Sequence, residues 1–219
     1  MEKAKRYLVF LVGLFISSLG VSLITKASLG TSPISAIPYV LSLRFSWTLG
    51  EFTIVFSLLL VALQVVILRR RFRLEHLLQI PVSVAFGYFI DLTMLALGWL
   101  TPQACGFKLV ALAVGCVVLG FGIYLEVLAN VVMLPGESFV RSIVIVWRRD
   151  FGKTKVAFDV SISAAAAVLT LIFFHSLTGV REGTVVAAAC VGLLVKLFGR
   201  LLPGLEERLF SPAARTEQA

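Results

Sequence analysis

Residues 7–24, YLVFLVGLFISSLGVSLI, form an apolar run without a charged side chain. A helix of about 20 mostly apolar residues crosses the hydrocarbon core of a bilayer, and this run has nearly that length. Lys3, Lys5 and Arg6 precede it, as in a signal peptide, but no small-residue cleavage site follows. We therefore interpret residues 7–24 as a first transmembrane helix.

Five further apolar runs have the same character, so the sequence predicts six spans. They lie at residues 51–68, 77–100, 108–131, 155–174 and 183–202. Hydrophobic residues make up 59% of the 219 residues and charged residues only 15%, whereas a typical soluble domain is roughly half apolar and a quarter charged. This composition excludes a soluble enzyme and a disordered tail, and the lipid bilayer becomes the expected surrounding of the protein.

Positive charge sorts the connections between spans onto two sides. With the N-terminus inside, 15 of the 20 lysines and arginines fall in inside segments, and four fall outside. Cytoplasmic loops carry such an excess of basic residues. We therefore expect a bacterial cytoplasmic (inner) membrane protein with both termini in the cytoplasm and residues 203–219 as a tail. The net charge of +8 then reflects topology, and no basic stripe with interleaved aromatic residues indicates nucleic-acid binding.

Two long connections each contain a proline followed by a short helical pattern, starting at Pro33 and Pro135. Ser32 can cap the first of these helices, since a serine there accepts hydrogen bonds from free backbone N–H groups. Each pattern covers about 12 to 14 residues, or roughly 18 to 21 Å, which is too short to span a bilayer. These helices either re-enter the membrane from one side or lie in its interface with their apolar faces down.

The two halves of the chain align with each other through residues that have specific backbone roles. A shift of 102 residues matches Gly13 with Gly115, Gly20 with Gly122, Pro33 with Pro135 and Gly50 with Gly152, and a shift of 105 matches Gly87 with Gly192 and Asp91 with Lys196. Each copy has an odd number of spans, so the second copy enters the membrane from the opposite side. The sequence thus predicts one transmembrane domain with an inverted repeat, about 7–100 and about 108–202, as in many transporters.

Four charged side chains stand out within the predicted spans, where a charge is costly and usually faces a cavity or a partner. They are Asp91, Glu126, Asp159 and Lys196. Glu126 has Asn130 one turn later on the same helical face, and either Glu126 or Asp91 is a candidate proton or cation site. The alternative for the carboxylates is a structural contact with a backbone group or a neighbouring helix, which the sequence favours for Asp159, while Lys196 is expected to extend toward the inner interface with Arg200. An ion pair between Asp91 and Lys196 is a further alternative.

Six residues at the beginnings of predicted helices extend the candidate binding site. They are Ser32, Pro33, Ser35, Gln79, Pro135 and Glu137. A carboxylate at Glu137 is favoured by the helix dipole, and the alternative is a site for a cationic group or a proton. Ser35 is the matching position in the first short helix, where hydroxyls and free N–H groups suit a carboxylate or another anion. Gln79 lines a polar cavity or belongs to a kinked packing helix.

No pattern indicates catalysis, a metal or a cofactor, so we expect a protein that is not an enzyme. The three cysteines are far apart, and His76 and His175 have no obvious nucleophile as a partner in the sequence. No CxxC pair and no glycine-rich phosphate loop occurs. The cysteines are expected to be small packing residues.

Three stretches carry a family resemblance. They are GLFISSLGVSLITKASLGTSPISAIPYVLS at 13–42, QIPVSVAFGYFIDL at 79–92 and REGTVVAAACVGLLVKLF at 181–198. They resemble the YczE/YyaS/YitT family of bacterial integral membrane proteins, especially its YczE-like branch. The resemblance covers nearly the whole chain and implies a multipass inner-membrane protein. It implies neither a substrate nor an established functional residue.

Together these patterns predict an all-α polytopic membrane protein with six transmembrane helices and two short Pro-initiated helices. The leading hypothesis is a small permease or secondary transporter whose unidentified substrate binds between the repeats near Pro33 and Pro135. Glu126, Asp91 or Glu137 would then supply ion or substrate coupling, inside a polar cavity that water can reach. The alternative is a non-transporting accessory or scaffold protein, in which these groups are paired and dry. Small residues on the helices are also compatible with a homodimer.

Overall fold

The computed structural model describes residues 2–72, 74–176, 179–203, 205 and 209, and within these ranges the chain is helical with connecting turns and no strand. Most of the predicted tail, residues 203–219, lies outside the described residues. Six helices are long and apolar enough to cross a membrane: α1 (Glu2–Lys26), α3 (Leu49–Leu68), α4 (Gln79–Ala96), α5 (Cys105–Ala129), α7 (Phe151–Phe174) and α8 (Glu182–Leu201). The predicted all-α, six-span architecture is confirmed.

Two short helices fill the long connections, as predicted. A 3₁₀ turn (Pro33–Ser35) leads into α2 (Ala36–Arg44), and α6 (Pro135–Trp147) has 13 residues. Further 3₁₀ turns, Arg69–Arg71 and Leu74–Leu78, connect α3 to α4. Each short helix begins at a proline, because proline has a helix-compatible φ and its missing N–H costs nothing in a first turn.

The predicted capping role of the Ser32 side chain is wrong. Ser32 occupies the N-cap position with an extended backbone, but its side chain accepts no hydrogen bond from the helix. Its hydroxyl instead donates to Oγ of Ser35 at 3.0 Å. The helix opens as a tight 3₁₀ turn, so the backbone carbonyl of Ser32 already accepts from the Ser35 N–H, also at 3.0 Å.

The second span of each half begins at a matched cap. Thr48 and Glu51 form a capping box at the start of α3, with the Glu51 N–H donating to Thr48 Oγ1 at 3.1 Å. Asp150 caps α7 in the same way, accepting from the Lys153 N–H at 2.9 Å. Both cap residues and both third residues of these helices are 102 positions apart.

Two helices end in left-handed residues that are also 102 positions apart. Asn130 follows α5 with φ +48°, and Ser28 follows α1 with φ +57°. Asn130 is the C-cap of α5, one turn after Glu126, and its N–H still donates to the Glu126 carbonyl at 3.2 Å. The short polar side chain of asparagine makes the left-handed conformation accessible, so α5 stops at Ala129.

The most extensive helix pair is the antiparallel crossing of α1 and α5. A Cβ on Gly20 would lie 2.5 Å from the backbone nitrogen of Leu119, and a Cβ on Gly122 would lie 2.5 Å from that of Ser17. Gly20 and Gly122 are 102 positions apart, and so are Ser17 and Leu119, so the two contacts correspond to each other. Only glycine permits such an approach of two backbones, which is how membrane helices pack closely without a hydrophobic driving force.

The remaining helix pairs correspond in the same way, with one exception. The pairs α1–α4 and α5–α8 match, as do α3–α6 with α2–α7 and α2–α3 with α6–α7. The exception is α3–α4, which pack tightly at Gly50 and Gly87, whereas α7 and α8 make no contact of comparable extent. The helices α7 and α8 are consequently the least buried of the six spans.

Candidate functional site

A cavity of about 880 Å³ opens at the end of the bundle where α3 and α5 finish and α4 begins. We call it the Glu126 cavity. Four predicted site residues line it: Gln79, Glu126, Asn130 and Glu137. The structure therefore brings together residues from three separate predicted segments around one open cavity.

Glu126 reaches this cavity from the closest part of the α1–α5 crossing. Gly13 and Gly122 let the two backbones approach, and this approach places Ser17 Oγ 2.5 Å from Glu126 Oε1. Glu126 is only 8% exposed. Within the described residues no lysine, arginine or histidine lies within ion-pair distance of it, so its partner is a neutral hydroxyl. A buried carboxylate with this surrounding is suited to holding a proton or meeting a cation.

Glu137 is a second carboxylate in the same cavity. It lies in the first turn of α6 and is half-buried, with no hydrogen-bond partner among the described residues. The charges of Lys155 and Asp159 on α7 act on it, and these two form an ion pair of their own at 2.8 Å. Glu137 also interacts electrostatically with Glu126. The cavity thus contains two acidic groups within each other's field.

Basic side chains also line the Glu126 cavity. They are Arg70, Arg71, His76 and Arg141. The three arginines are exposed, and Arg70 and Arg71 lie in the 3₁₀ turn that ends α3. The arrangement therefore presents positive charge on solvent-exposed side chains and negative charge on the more buried ones.

Gln79 belongs to a closed hydrogen-bond network that ties α3, α4 and α6 together. The Gln64 and Gln79 amides donate to each other at 3.1 and 3.2 Å, and the Gln79 amide also donates to Ser138 Oγ at 3.0 Å. The Ser138 hydroxyl donates to Gln64 Oε1 at 2.9 Å, and the Gln64 amide reaches the Pro135 carbonyl at 3.2 Å. All three side chains are buried. Gln64 and Ser138 were not predicted; a lone amide within the apolar run 51–68 was the available signal.

The polar residues before α2 are already satisfied by protein partners. The Thr31 N–H donates to Thr184 Oγ1 at 3.2 Å, and Thr31 Oγ1 shares a 2.8 Å hydrogen bond with Thr25. Ser32 and Ser35 bond to each other, and both are buried outside the Glu126 cavity. The side chains of the predicted anion site, Thr31, Ser32 and Ser35, are therefore buried and bonded to other groups of the protein.

The two Pro-initiated helices meet at their first turns. Pro33 and Pro135 are both buried, and a Cβ on Gly136 would overlap the side chain of Ile34. The network around Pro135 holds the beginning of α6 against α4. The Thr31–Thr184 bond holds the segment before α2 against α8. Gln79 and Thr184, the residues that make these contacts, are 105 positions apart.

Asp91 lies at the opposite end of the bundle from Glu126. Its carboxylate accepts hydrogen bonds from Thr48 Oγ1 at 2.7 Å and from the Gly50 N–H at 2.8 Å. These contacts satisfy free groups at the start of α3, because a carboxylate is favoured at a helix N-terminus. The ion pair between Asp91 and Lys196 is contradicted: within the described part of the chain Lys196 is exposed and has no acidic partner within 4 Å.

A second cavity of about 500 Å³ lies at this opposite end, where α1 finishes and α5 begins. We call it the Lys26 cavity. Its lining repeats positions of the Glu126 cavity 102 residues earlier, pairing Thr25 with Val127, Ser28 with Asn130, Tyr39 with Arg141 and Leu43 with Ile145. Burial raises the pKa of Tyr39, so its hydroxyl stays neutral at physiological pH.

No group of three or more histidine, cysteine, aspartate or glutamate side chains that could hold a metal ion occurs among the described residues.

Comparisons with known proteins agree with the architecture. The chain is 27% identical over 198 residues to the uncharacterized membrane protein YczE of Bacillus subtilis (strain 168), covering 89% of this chain and 86% of that protein. It is 25% identical over 211 residues to the uncharacterized protein YyaS of the same organism, covering 96% and 98% of the two chains. No solved structure matches. Residues 4–200 match the family described as "Family of unknown function (DUF6198)", and the chain belongs to this family of YczE- and YyaS-like proteins.

Proposed function

We propose that the protein is a small permease or secondary transporter whose solute binds in the Glu126 cavity. The observation that carries the proposal is a carboxylate that is 8% exposed, lines a cavity of about 880 Å³, and has a neutral hydroxyl as its partner. A carboxylate that only stabilised the fold would be expected to have a cationic or multiple hydrogen-bonding partner. In the proposed transporter, the solute or the coupling ion that binds in the Glu126 cavity is this partner.

The substrate or coupling ion carries positive charge in this proposal. Glu126 and Glu137 are the two more buried charges, and neither has an ion-pair partner among the described residues. A proton, an inorganic cation or an amine satisfies them. The arginines at the exposed side of the cavity would contact an anionic part of the same molecule, so an amino acid or another zwitterion is the solute class to test first.

An inverted repeat gives this site a transport mechanism. The reciprocal contacts Gly20–Leu119 and Gly122–Ser17 support a two-fold relation between α1 and α5, and the antiparallel crossing requires its axis to lie across the helices. The matched caps of α3 and α7 and the matched cavities at opposite ends support the same relation. Transporters with inverted repeats expose one central site to either side in turn.

The membrane and orientation follow from the charge distribution. We place the protein in the bacterial inner membrane with both termini in the cytoplasm, since 15 of its 20 basic residues then lie on the cytoplasmic side. The Glu126 cavity opens toward the cytoplasm in this orientation, and the Lys26 cavity opens toward the opposite side.

Thermal unfolding of the purified protein in detergent tests the proposal. The panel contains amino acids, amines, carboxylates, sulfonates and inorganic cations, each over a pH series. A solute that binds only the native state stabilises it, by about 2.7 kcal/mol at a concentration of 100 times its Kd. We expect at least one class with a positive charge to raise the unfolding temperature, and Glu126→Gln to abolish that increase while Glu182→Gln, an exposed control, retains it.

Two outcomes contradict the proposal. If no member of the panel stabilises the protein, or if the stabilisation persists unchanged in Glu126→Gln, the Glu126 cavity is not the binding site proposed here. The accessory or scaffold function would then be the next to test, by cross-linking the protein in its native membrane.

A further inference from the structure

The tight contact between α3 and α4 is built from three features. Gly50 and Gly87 remove the side chains that would separate the two backbones, and a Cβ on either glycine would overlap the other helix. The Asp91 carboxylate then joins the two helices by accepting from Thr48 Oγ1 and the Gly50 N–H. These features together hold the end of α4 against the start of α3.

The second half of the chain has the counterparts of all these residues but not the contact. Gly152 and Gly192 correspond to the two glycines, Asp150 to Thr48, and Lys196 to Asp91. A Cβ on Gly192 would meet no atom within 4 Å, and one on Gly152 would meet only Asp150 Oδ1, at 3.4 Å. Neither glycine is therefore in contact with another helix, whereas Gly50 and Gly87 are closely packed.

The charges of the two counterpart residues are complementary. In the first half a carboxylate accepts from the hydroxyl of the cap residue; in the second half a lysine would donate to the carboxylate of the cap residue. Asp150 currently accepts from the Lys153 N–H through Oδ1 at 2.9 Å. No hydrogen bond to its other oxygen, Oδ2, occurs among the described residues, and Lys196 is exposed without an ion-pair partner there.

We propose that the protein has a second conformation in which α7 closes on α8, Gly152 packs against Gly192, and the Lys196 ammonium binds the Asp150 carboxylate. In that state α3 and α4 separate. The first half then has the open arrangement that α7 and α8 have in this structure, and the second half has the closed arrangement of α3 and α4. The inference rests on the proposed transport function for its purpose, since the exchange moves access from the Glu126 cavity to the Lys26 cavity. Lys196 and Asp150 are then residues of the transport cycle that touch no substrate.

Bulky substitutions at the glycines separate this proposal from a purely structural role. Leucine at Gly192 fits the structure described here, because no atom lies within 4 Å of its Cβ. Gly106→Leu is the matched control, since Gly106 is also a helical glycine with no atom within that distance. Both variants are expected to fold, but only Gly192→Leu prevents α7 from closing on α8.

Distances between spin labels report the two states directly. One pair of labels is placed at the lipid-exposed Val156 and Leu197 on α7 and α8, and a second pair at Val55 and Leu92 on α3 and α4. The three native cysteines are replaced by alanine, and the protein is reconstituted in lipid nanodiscs. We expect two populations for each pair, the α7–α8 distance shortening in the same molecules in which the α3–α4 distance lengthens.

The substitutions should change these populations in a defined order. Gly192→Leu removes the short α7–α8 population, Gly106→Leu preserves it, and Lys196→Gln or Asp150→Asn reduces it at least threefold. The double charge reversal Lys196→Asp with Asp150→Lys restores it. A single α7–α8 distance, the same in the parent and in Gly192→Leu, would overturn the proposal, as would populations that ignore both charge substitutions.

The result is separate from that of the binding experiment. Two exchanging populations without any stabilising solute would support this inference and refute the proposed binding at Glu126. A solute that binds through Glu126 while α7 and α8 keep one distance would do the reverse.

Discussion

Replacing Gln79 by leucine should destabilise the protein by removing three buried hydrogen bonds. The Gln79 side chain makes two with Gln64 and one with Ser138, at 3.0 to 3.2 Å. Interhelical hydrogen bonds in membrane proteins contribute about 0.6 kcal/mol each, so the expected loss is about 2 kcal/mol. Gln64→Leu removes four hydrogen bonds, which include the Pro135 carbonyl contact and the bond from Ser138, and should cost about 2.5 kcal/mol.

The double variant distinguishes a network from two independent polar residues. Gln64→Leu with Gln79→Leu removes five different bonds, because two are shared, and should cost about 3 kcal/mol rather than the sum of about 4.5. Unfolding in mixed micelles with increasing SDS fraction measures these free energies. Ser142→Ala is the control, since that hydroxyl bonds only to the preceding turn of its own helix. Additive effects, or single losses below about 0.5 kcal/mol, would refute the closed network.

Three further predictions concern packing, capping and topology. Gly20→Ala should cost about 1 to 3 kcal/mol, since its Cβ would lie 2.5 Å from a backbone nitrogen of α5, whereas Gly106→Ala should change the same SDS-unfolding free energy by less than about 0.5 kcal/mol. Asp91→Ala should cost about 1 kcal/mol through the lost cap and leave solute-induced stabilisation unchanged; loss of that stabilisation would return Asp91 to the binding site. Cysteines introduced at the exposed positions Ser28 and Asn130 should react with a membrane-impermeant thiol reagent from the outside and from the cytoplasmic side, respectively, and labelling of both from one side, or from the reverse sides, would contradict the orientation.

The sequence predicted the elements better than their relations. Apolar length and charge asymmetry determined the six spans, and Pro33 and Pro135 located both short helices, because these signals act over a few neighbouring residues. For Asp91 the sequence left two alternatives open, an ion site and a structural contact, because the groups that it contacts, Thr48 and Gly50, come from another helix. Only the packing of α3 on α4 reveals that contact.

The candidate site was predicted in part for the same reason. Glu126 was singled out because charge inside an apolar segment is costly wherever it occurs, and Glu137 because it begins a Pro-initiated helix, where the helix dipole favours a carboxylate. Ser17 and Gln64 were not, since a hydroxyl or an amide in a span is inexpensive when its own helix or a neighbour satisfies it. Their roles depend on which other helix packs against Ser17 or Gln64, and the pattern of residues within one helix does not show this.

Helices of the first half pack on helices of the second half, and this has a consequence for the synthesis and insertion of the chain. Because α1 crosses α5 and α2 packs on α7, a ribosome releases α1 and α2 before these partners from the second half exist. The glycine face of α1 therefore stays uncovered in the bilayer until α5 (Cys105–Ala129) has been inserted. A gene split in the 97–104 connection would therefore yield two fragments that can form the α1–α5 crossing only by assembling with each other.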